Sequence, residues 1–184
     1  MTATGARSLL ILGLGNVICG DDGLGVAAAL RLARDFELPP GVRVLDGGTL
    51  GLSLLSCVSG ADDLLLVDAV RADAPPGTFV RLDGDAVAPA VRERLSVHQV
   101  GVADLLDGLR LLDAYPRRLV LLGLVPATLE LEYGCSPAIA ARLDELVERV
   151  VEEARELGYP LRRRESHETL ATRNDPGALH PLGL

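Results

Sequence analysis

Short, uniformly apolar runs alternate with helical repeats along this chain, at intervals of about thirty residues. Residues 9–12 form the first run, with no polar face, as expected of a strand covered on both sides. Val26, Leu30 and Ala33 then recur at helical spacing, which predicts a helix over 24–35, stopped by Pro39 and Pro40. A second strand is predicted over 42–45, running into Asp46-Gly47-Gly48-Thr49. A short helix follows over 52–59. Residues 63–67 form a third apolar strand, which ends at Asp68. After the Pro75-Pro76-Gly77 turn, 78–82 is a candidate antiparallel addition. Val102, Leu105, Leu106, Leu109 and Leu112 make one helical face, and 119–124 is the fifth strand. Ser136 and Pro137 are a favourable N-cap and first helical position. They open a long amphipathic helix through Ile139, Leu143, Leu146, Val150, Ala154 and Leu157, closed by Gly158 and Pro160.

This alternation is that of βαβ units and predicts an α/β fold built on a mostly parallel sheet of about five strands. The 184 residues suit a single domain, large enough to bury about 70% of the unfolded chain's surface. Past Pro160 the pattern fails. Residues 161–184 contain Arg162-Arg163-Arg164 and no sustained apolar period, so the domain is placed at 1–160 and 161–184 is read as a mobile C-terminal tail.

Composition narrows the chemistry. All 18 basic residues are arginine. Without lysine there is no Schiff base and no P-loop, which removes PLP-dependent catalysis, lysine aldolase chemistry and Walker-type NTP hydrolysis. The net charge of -8 disfavours nucleic acid as a partner. The tail holds four arginines against three acids, so the body carries -9. Three widely spaced cysteines, Cys19, Cys57 and Cys135, form neither a CxxC pair nor a disulfide framework and read as reduced thiols of a cytoplasmic protein. The apolar start is broken by Gly13, Gly15 and Asn16 without a cleavage signal, and no run reaches the roughly 20 residues of a membrane span.

In an open parallel sheet, ligands bind beyond the carboxyl ends of the strands. The first strand leads to Asp21 and Asp22, the second to Asp46, the third to Asp68, so these carboxylates should share one rim. His98, in Ser96-Val97-His98-Gln99-Val100-Gly101, is the one histidine inside the domain. Several carboxylates with one imidazole suit a divalent metal such as zinc, copper, iron or nickel. Each residue also has a structural reading. Asp21 or Asp22 can cap the following helix, Gly47 and Gly48 can simply turn the chain, and His98 can be a structural loop histidine. Gly13-Leu14-Gly15-Asn16-Val17-Ile18 begins like a dinucleotide loop, but Ile18 replaces the third glycine and two acids stand where a pyrophosphate would dock. There is no GxSxG elbow, and no cysteine carries a local histidine signature.

Taken together, Gly13-Leu14-Gly15-Asn16, Gly20-Asp21-Asp22-Gly23-Leu24-Gly25, Asp46-Gly47-Gly48-Thr49, Val67-Asp68-Ala69, Ser96 to Gly101 and Leu121-Leu122-Gly123-Leu124-Val125-Pro126 resemble the hydrogenase maturation endopeptidases. These proteases trim the C-terminal extension of the nickel-iron hydrogenase large-subunit precursor. The resemblance implies a three-layer, phosphorylase/hydrolase-like domain, its twisted sheet lying between helices on both faces. It also implies metal ligands at Asp22, Asp68 and His98, with aspartate at 22 where many members have glutamate. The nickel would arrive with the precursor, its partner, and Asp46 would position substrate or assist as a base. Two alternatives accompany this reading. One is a peptidyl-tRNA hydrolase-like esterase, which also opens on a strand and GLGN but continues Asn-Pro-Gly where this chain has Val17-Ile18-Cys19. The other is a non-catalytic nickel-binding maturation factor using the same three ligands.

Overall fold

The computed structural model describes residues 7–92 and 97–165, without the side chains of 92 and 97–100. Five strands form the main sheet: β1 (Leu9–Leu14), β3 (Val42–Gly48), β4 (Asp63–Ala69), β5 (Phe79–Asp83) and β6 (Arg118–Leu124). Their spatial order is β3-β1-β4-β6-β5; the first four are parallel and β5 runs antiparallel along β6. A two-residue ribbon, β2 (Phe36–Glu37) with β7 (Arg162–Arg163), stands apart. The helices are α1 (Leu24–Asp35), α2 (Leu55–Val58), α3 (Val87–Arg92), α4 (Val97–Leu111), α5 (Pro137–Ala140) and α6 (Leu143–Glu156).

Both faces of the sheet are covered, which is why its inner strands read as unbroken apolar runs rather than alternating ones. The strand period of two still sorts their side chains. Leu9, Ile11, Leu65, Val67, Val120 and Leu122 join α1, α5 and α6 on one side. Leu10, Leu12, Leu64, Leu66, Leu119 and Leu121 join α2, α3 and α4 on the other. The predicted α/β architecture, with its antiparallel addition, is thus the observed one. Among the described residues no helix is long and apolar enough to cross a membrane.

Three details depart from the sequence reading. The long final helix is two segments. Ser136 caps the first through the Ile139 amide, the chain tightens so that the Arg142 amide reaches the Ile139 carbonyl, and α6 then begins. Ile139, Leu143, Leu146 and Val150 stay in phase across that break and all are buried, so periodicity could not register it. Leu112 lies past the end of α4 and is exposed. The fold also continues past Pro160: Leu161 is buried, Arg162–Arg163 pairs with Phe36–Glu37, and the Arg164 amide bonds the Asp35 carbonyl. The cation of Arg163 lies 4.7 Å from the Phe36 ring centre. Residues 166–184 lie outside the described residues.

At the amino end of β4, the fully buried Asp63 carboxylate accepts hydrogen bonds from Arg7 (2.5 Å), Nε and Nη2 of Arg118 (3.1 and 3.2 Å) and the Tyr159 hydroxyl (2.7 Å). Burial pushes this carboxyl up, but its donors outweigh that and hold it below the ordinary aspartate range. Burial, and then the same bond, push the Tyr159 hydroxyl up to about 12. This cluster ties the amino-terminal arm, β4, β6 and the end of the chain's last helical segment at the rim opposite Asp68. A carboxyl depressed in the folded state contributes stability above its unfolded value, near 3.9, and loses it as pH falls through the folded value. Asp63→Ala is therefore expected to cost about 2–3 kcal/mol at pH 7, because the buried Tyr159 hydroxyl and two partly exposed guanidinium groups lose their acceptor. Urea unfolding checks this, and the gap between the two proteins should shrink towards pH 3.

Candidate functional site at the carboxyl rim of the sheet

β1 connects outward to β3 on one side, while the chain then returns across β1 to β4 on the other. The ends of β1 and β4 therefore flank the topological switch point, where open α/β sheets form their binding crevice. Gly25, in the first turn of α1, brings the helix down onto both strand ends. A Cβ there would collide with the Val67 carbonyl and stand 2.5 Å from that of Leu14. This approach seats the Gly20–Gly23 3-10 turn, with Asp22, against β4, with Asp68.

Both carboxylates are buried, at 4% exposure for Asp22 and 2% for Asp68. Each is oriented by a backbone amide: Asp22 Oδ2 accepts from Asn16 (2.7 Å) and Asp68 Oδ1 from Ala69 (2.8 Å). Asp68 follows Leu66 by two residues, so it points to the sheet face covered by α4. The first turn of α4 carries His98. Three residues later Gly101 meets Gly51 backbone to backbone, each Cα under 3 Å from where the other's Cβ would be. That contact fixes the amino end of α4 on the same rim. The His98 side chain lies outside the described residues. Among those described, no three His, Cys, Asp or Glu groups are placed to hold a metal.

Asp46 stands on this rim too, but apart from the pair. It is exposed, and its Oδ1 accepts the Gly48 amide at 2.9 Å, closing the turn after β3. Gly13 of β1 lies between Asp46 and Val67 in register, which puts those two backbones two strand spacings, roughly 10 Å, apart.

Asp21 does a different job from its neighbour. It is fully buried, and accepts the amides of Ala127 (2.8 Å), Thr128 (3.0 Å) and Ser136 (2.6 Å) and the Ser136 hydroxyl (3.0 Å). It clasps the loop after β6 onto the loop after β1. Backbone bonds complete the join, from Gly20 to Glu132 (2.7 Å), Glu132 to Ile18 (3.1 Å) and Asp21 to Thr128 (3.1 Å). Neither the 3-10 turn nor α1 has a side-chain N-cap, so the capping reading of Asp21 and Asp22 gives way to these roles. Sequence could not reveal the clasp, because its partners lie more than a hundred residues away. The half-buried thiol of Cys135 is pushed up by burial and then by the charge of Asp21, which disfavours the thiolate a cysteine nucleophile needs.

The clasped loops turn apolar side chains outward. Ile18 is 50% exposed, Leu131 81% and Tyr133 84%, with Leu50 and Leu52 also exposed after β3. Past the end of β4, a cleft of about 480 Å³ opens between Arg71 and Ala72 and residues 125–130 after β6.

A rim that pairs two oriented, buried carboxylates and presents large exposed apolar groups suits a macromolecular substrate. Comparisons with known proteins agree. The hydrogenase maturation protease family matches residues 26–153, a span that holds Asp46, Asp68 and His98 and begins just after Asp22. The chain is 35% identical over 151 residues to the hydrogenase 2 maturation protease of Escherichia coli, covering 82% of this chain and 92% of that one. It is 39% identical over 161 residues to the hydrogenase expression/formation protein HupD of Rhodobacter capsulatus, covering 86% and 76%. The hydrogenase maturating endopeptidase HybD of E. coli superposes with a TM-score of 0.82 at 34% identity, covering 86% of this chain and 98% of that one. The [NiFe] hydrogenase maturation protease HybD of Thermococcus kodakarensis gives 0.67 at 28%, covering 80% and 99%. This chain belongs to the hydrogenase maturation protease family and is a peptidase.

Proposed function

We propose that this peptidase removes the C-terminal extension of a nickel-iron hydrogenase large-subunit precursor once nickel is in place, and that it reads the nickel through Asp22, Asp68 and His98. The observation that carries this reading is the convergence of two buried carboxylates on the switch-point rim beside the turn that bears His98. Oxygen and imidazole donors suit a divalent first-row metal, and the names of the relatives supply nickel-iron hydrogenase as the client class. Nickel is here part of the substrate, held in the precursor. A metal on such a rim polarises a carbonyl or lowers the pKa of bound water.

The chain's own groups do the remaining work. The Asn16 and Ala69 amides fix the two carboxylates so that they need no reorientation on binding. Asp46, at the far side of β1, positions the extended segment or accepts a proton from it. Val17, Ile18, Leu131 and Tyr133 give a folded precursor an exposed apolar surface to contact. The three free cysteines are in keeping with a cytoplasmic site of action.

The test offers purified protein a large-subunit precursor loaded with nickel and the same precursor without it, followed by gel mobility. The loaded form is expected to shorten and the nickel-free form to persist; equal cleavage of both would overturn the nickel reading. Asp68→Asn and His98→Ala should abolish processing of the loaded form with thermal unfolding little changed. A precursor that binds but keeps its length with wild-type protein would instead favour a non-catalytic maturation factor.

Asp21→Ala separates the clasp from the chemistry. It leaves three part-buried amides and a hydroxyl without their shared acceptor and is expected to cost about 2–3 kcal/mol in urea unfolding. It should also raise KM for the precursor, since the Leu131–Tyr133 loop loses its anchor. Wild-type stability in this variant would refute the clasp.

A further inference from the structure

The cleft past the end of β4 holds a feature that neither the metal ligands nor the clasp explains. Arg71, three residues beyond Asp68, is exposed and lines it, and it makes no ion pair or hydrogen bond with any described residue. Most described arginines are committed: Arg7 and Arg118 to Asp63, Arg81 to Glu153, Arg149 to Glu145, Arg163 to Glu148. Arg71 thus stands without a described partner on the rim that also carries the acids Asp21, Asp22, Asp46 and Asp68. Glu130 lines the opposite wall without pairing with it.

The far wall has a fixed shape. Asp21 holds the amides of Ala127 and Thr128, and the Thr128 hydroxyl holds that of Glu130 at 3.2 Å. The near wall is equally set, because Val70 bonds the Leu124 carbonyl (2.9 Å) and Gly77 that of Val125 (2.8 Å). The cleft thus opens between the loops that follow β4 and β6, on the carboxyl rim of the sheet that also carries Asp22 and Asp68. A chain segment entering the cleft from this rim has fixed walls on either side. There it meets one cation whose five N–H donors match a carboxylate.

We propose that this cleft is a carboxylate-recognising subsite, in which Arg71 binds an acidic group of the extension and sets which precursors are processed. The proposal rests on the peptidase reading above and adds a specificity residue to it. The carboxylate comes either from an acidic side chain of the extension or from its free C-terminus.

The experiment measures cleavage kinetics on a nickel-loaded large-subunit precursor, and binding of the same fluorescently labelled precursor by anisotropy. Arg71→Ala should raise both KM and Kd about tenfold, as for loss of a charge-assisted hydrogen bond, with kcat within about twofold; Arg71→Glu should raise them further. Two altered precursors identify the source: one with the extension's acids changed to amides, one whose terminus is displaced by a neutral Gly-Ser tail. The penalty of Arg71→Ala should vanish with one of them. Unchanged KM and Kd in both variants, a loss confined to kcat, or a penalty that survives both altered precursors overturns the proposal. Because anisotropy does not require turnover, a wild-type protein that fails to cleave contradicts the peptidase reading of this substrate without deciding the role of Arg71.

Discussion

Everything at the working rim depends on how closely α1 can approach the ends of β1 and β4. That distance is set by the absence of a side chain at residue 25, where a Cβ would occupy the space of the Val67 and Leu14 carbonyls. Even an alanine there would lift the first turn of the helix off the sheet. The 3-10 turn with Asp22 would move with it, away from Asp68. A second contact of the same kind, Gly51 against Gly101, positions the turn that bears His98. Backbone packed on backbone is stiff, because no rotamer can absorb a shift. The site is therefore preorganised by glycines rather than by the carboxylates themselves.

Electrostatics divides the sheet into two ends with opposite logic. At the amino end, Asp63 is buried and surrounded by Arg7, Arg118 and Tyr159, so its charge is spent on holding chain segments together. At the carboxyl end, Asp22 and Asp68 are equally buried, and the backbone amides of Asn16 and Ala69 help to hold their carboxylates in place. Asp21 shows how local this division is. One residue from Asp22, it receives three amides and a hydroxyl and acts as a staple. Part of the chain's negative charge is thus structural glue, and part is gathered as a carboxylate pair at the switch-point rim.

The fold was largely legible in the sequence because buried parallel strands advertise themselves as unbroken apolar runs, as at β1, β4 and β6. Strand ends were legible for the same reason, and with them the shared rim of Asp22, Asp46 and Asp68. What escaped was whatever depends on partners distant in the chain. The break between α5 and α6 leaves the apolar phase intact. Leu161 and the Phe36–Arg163 pairing sit in a segment whose arginines hide its order. The clasp of Asp21 and the cluster of Asp63 look in sequence like a cap and the edge of an apolar strand. Two adjacent acids of identical type cannot be told apart until their surroundings are known.

The claim on which the account turns is that Asp22, Asp68 and His98 form a single metal-reading site at the switch point. The most direct measurement is an anomalous-scattering map from crystals of this protein soaked in nickel. The account predicts one strong peak bounded by the carboxylates of Asp22 and Asp68 and the imidazole of His98, absent from crystals of Asp68→Asn. A peak elsewhere with this site clear, or one that persists unchanged in Asp68→Asn, would contradict it.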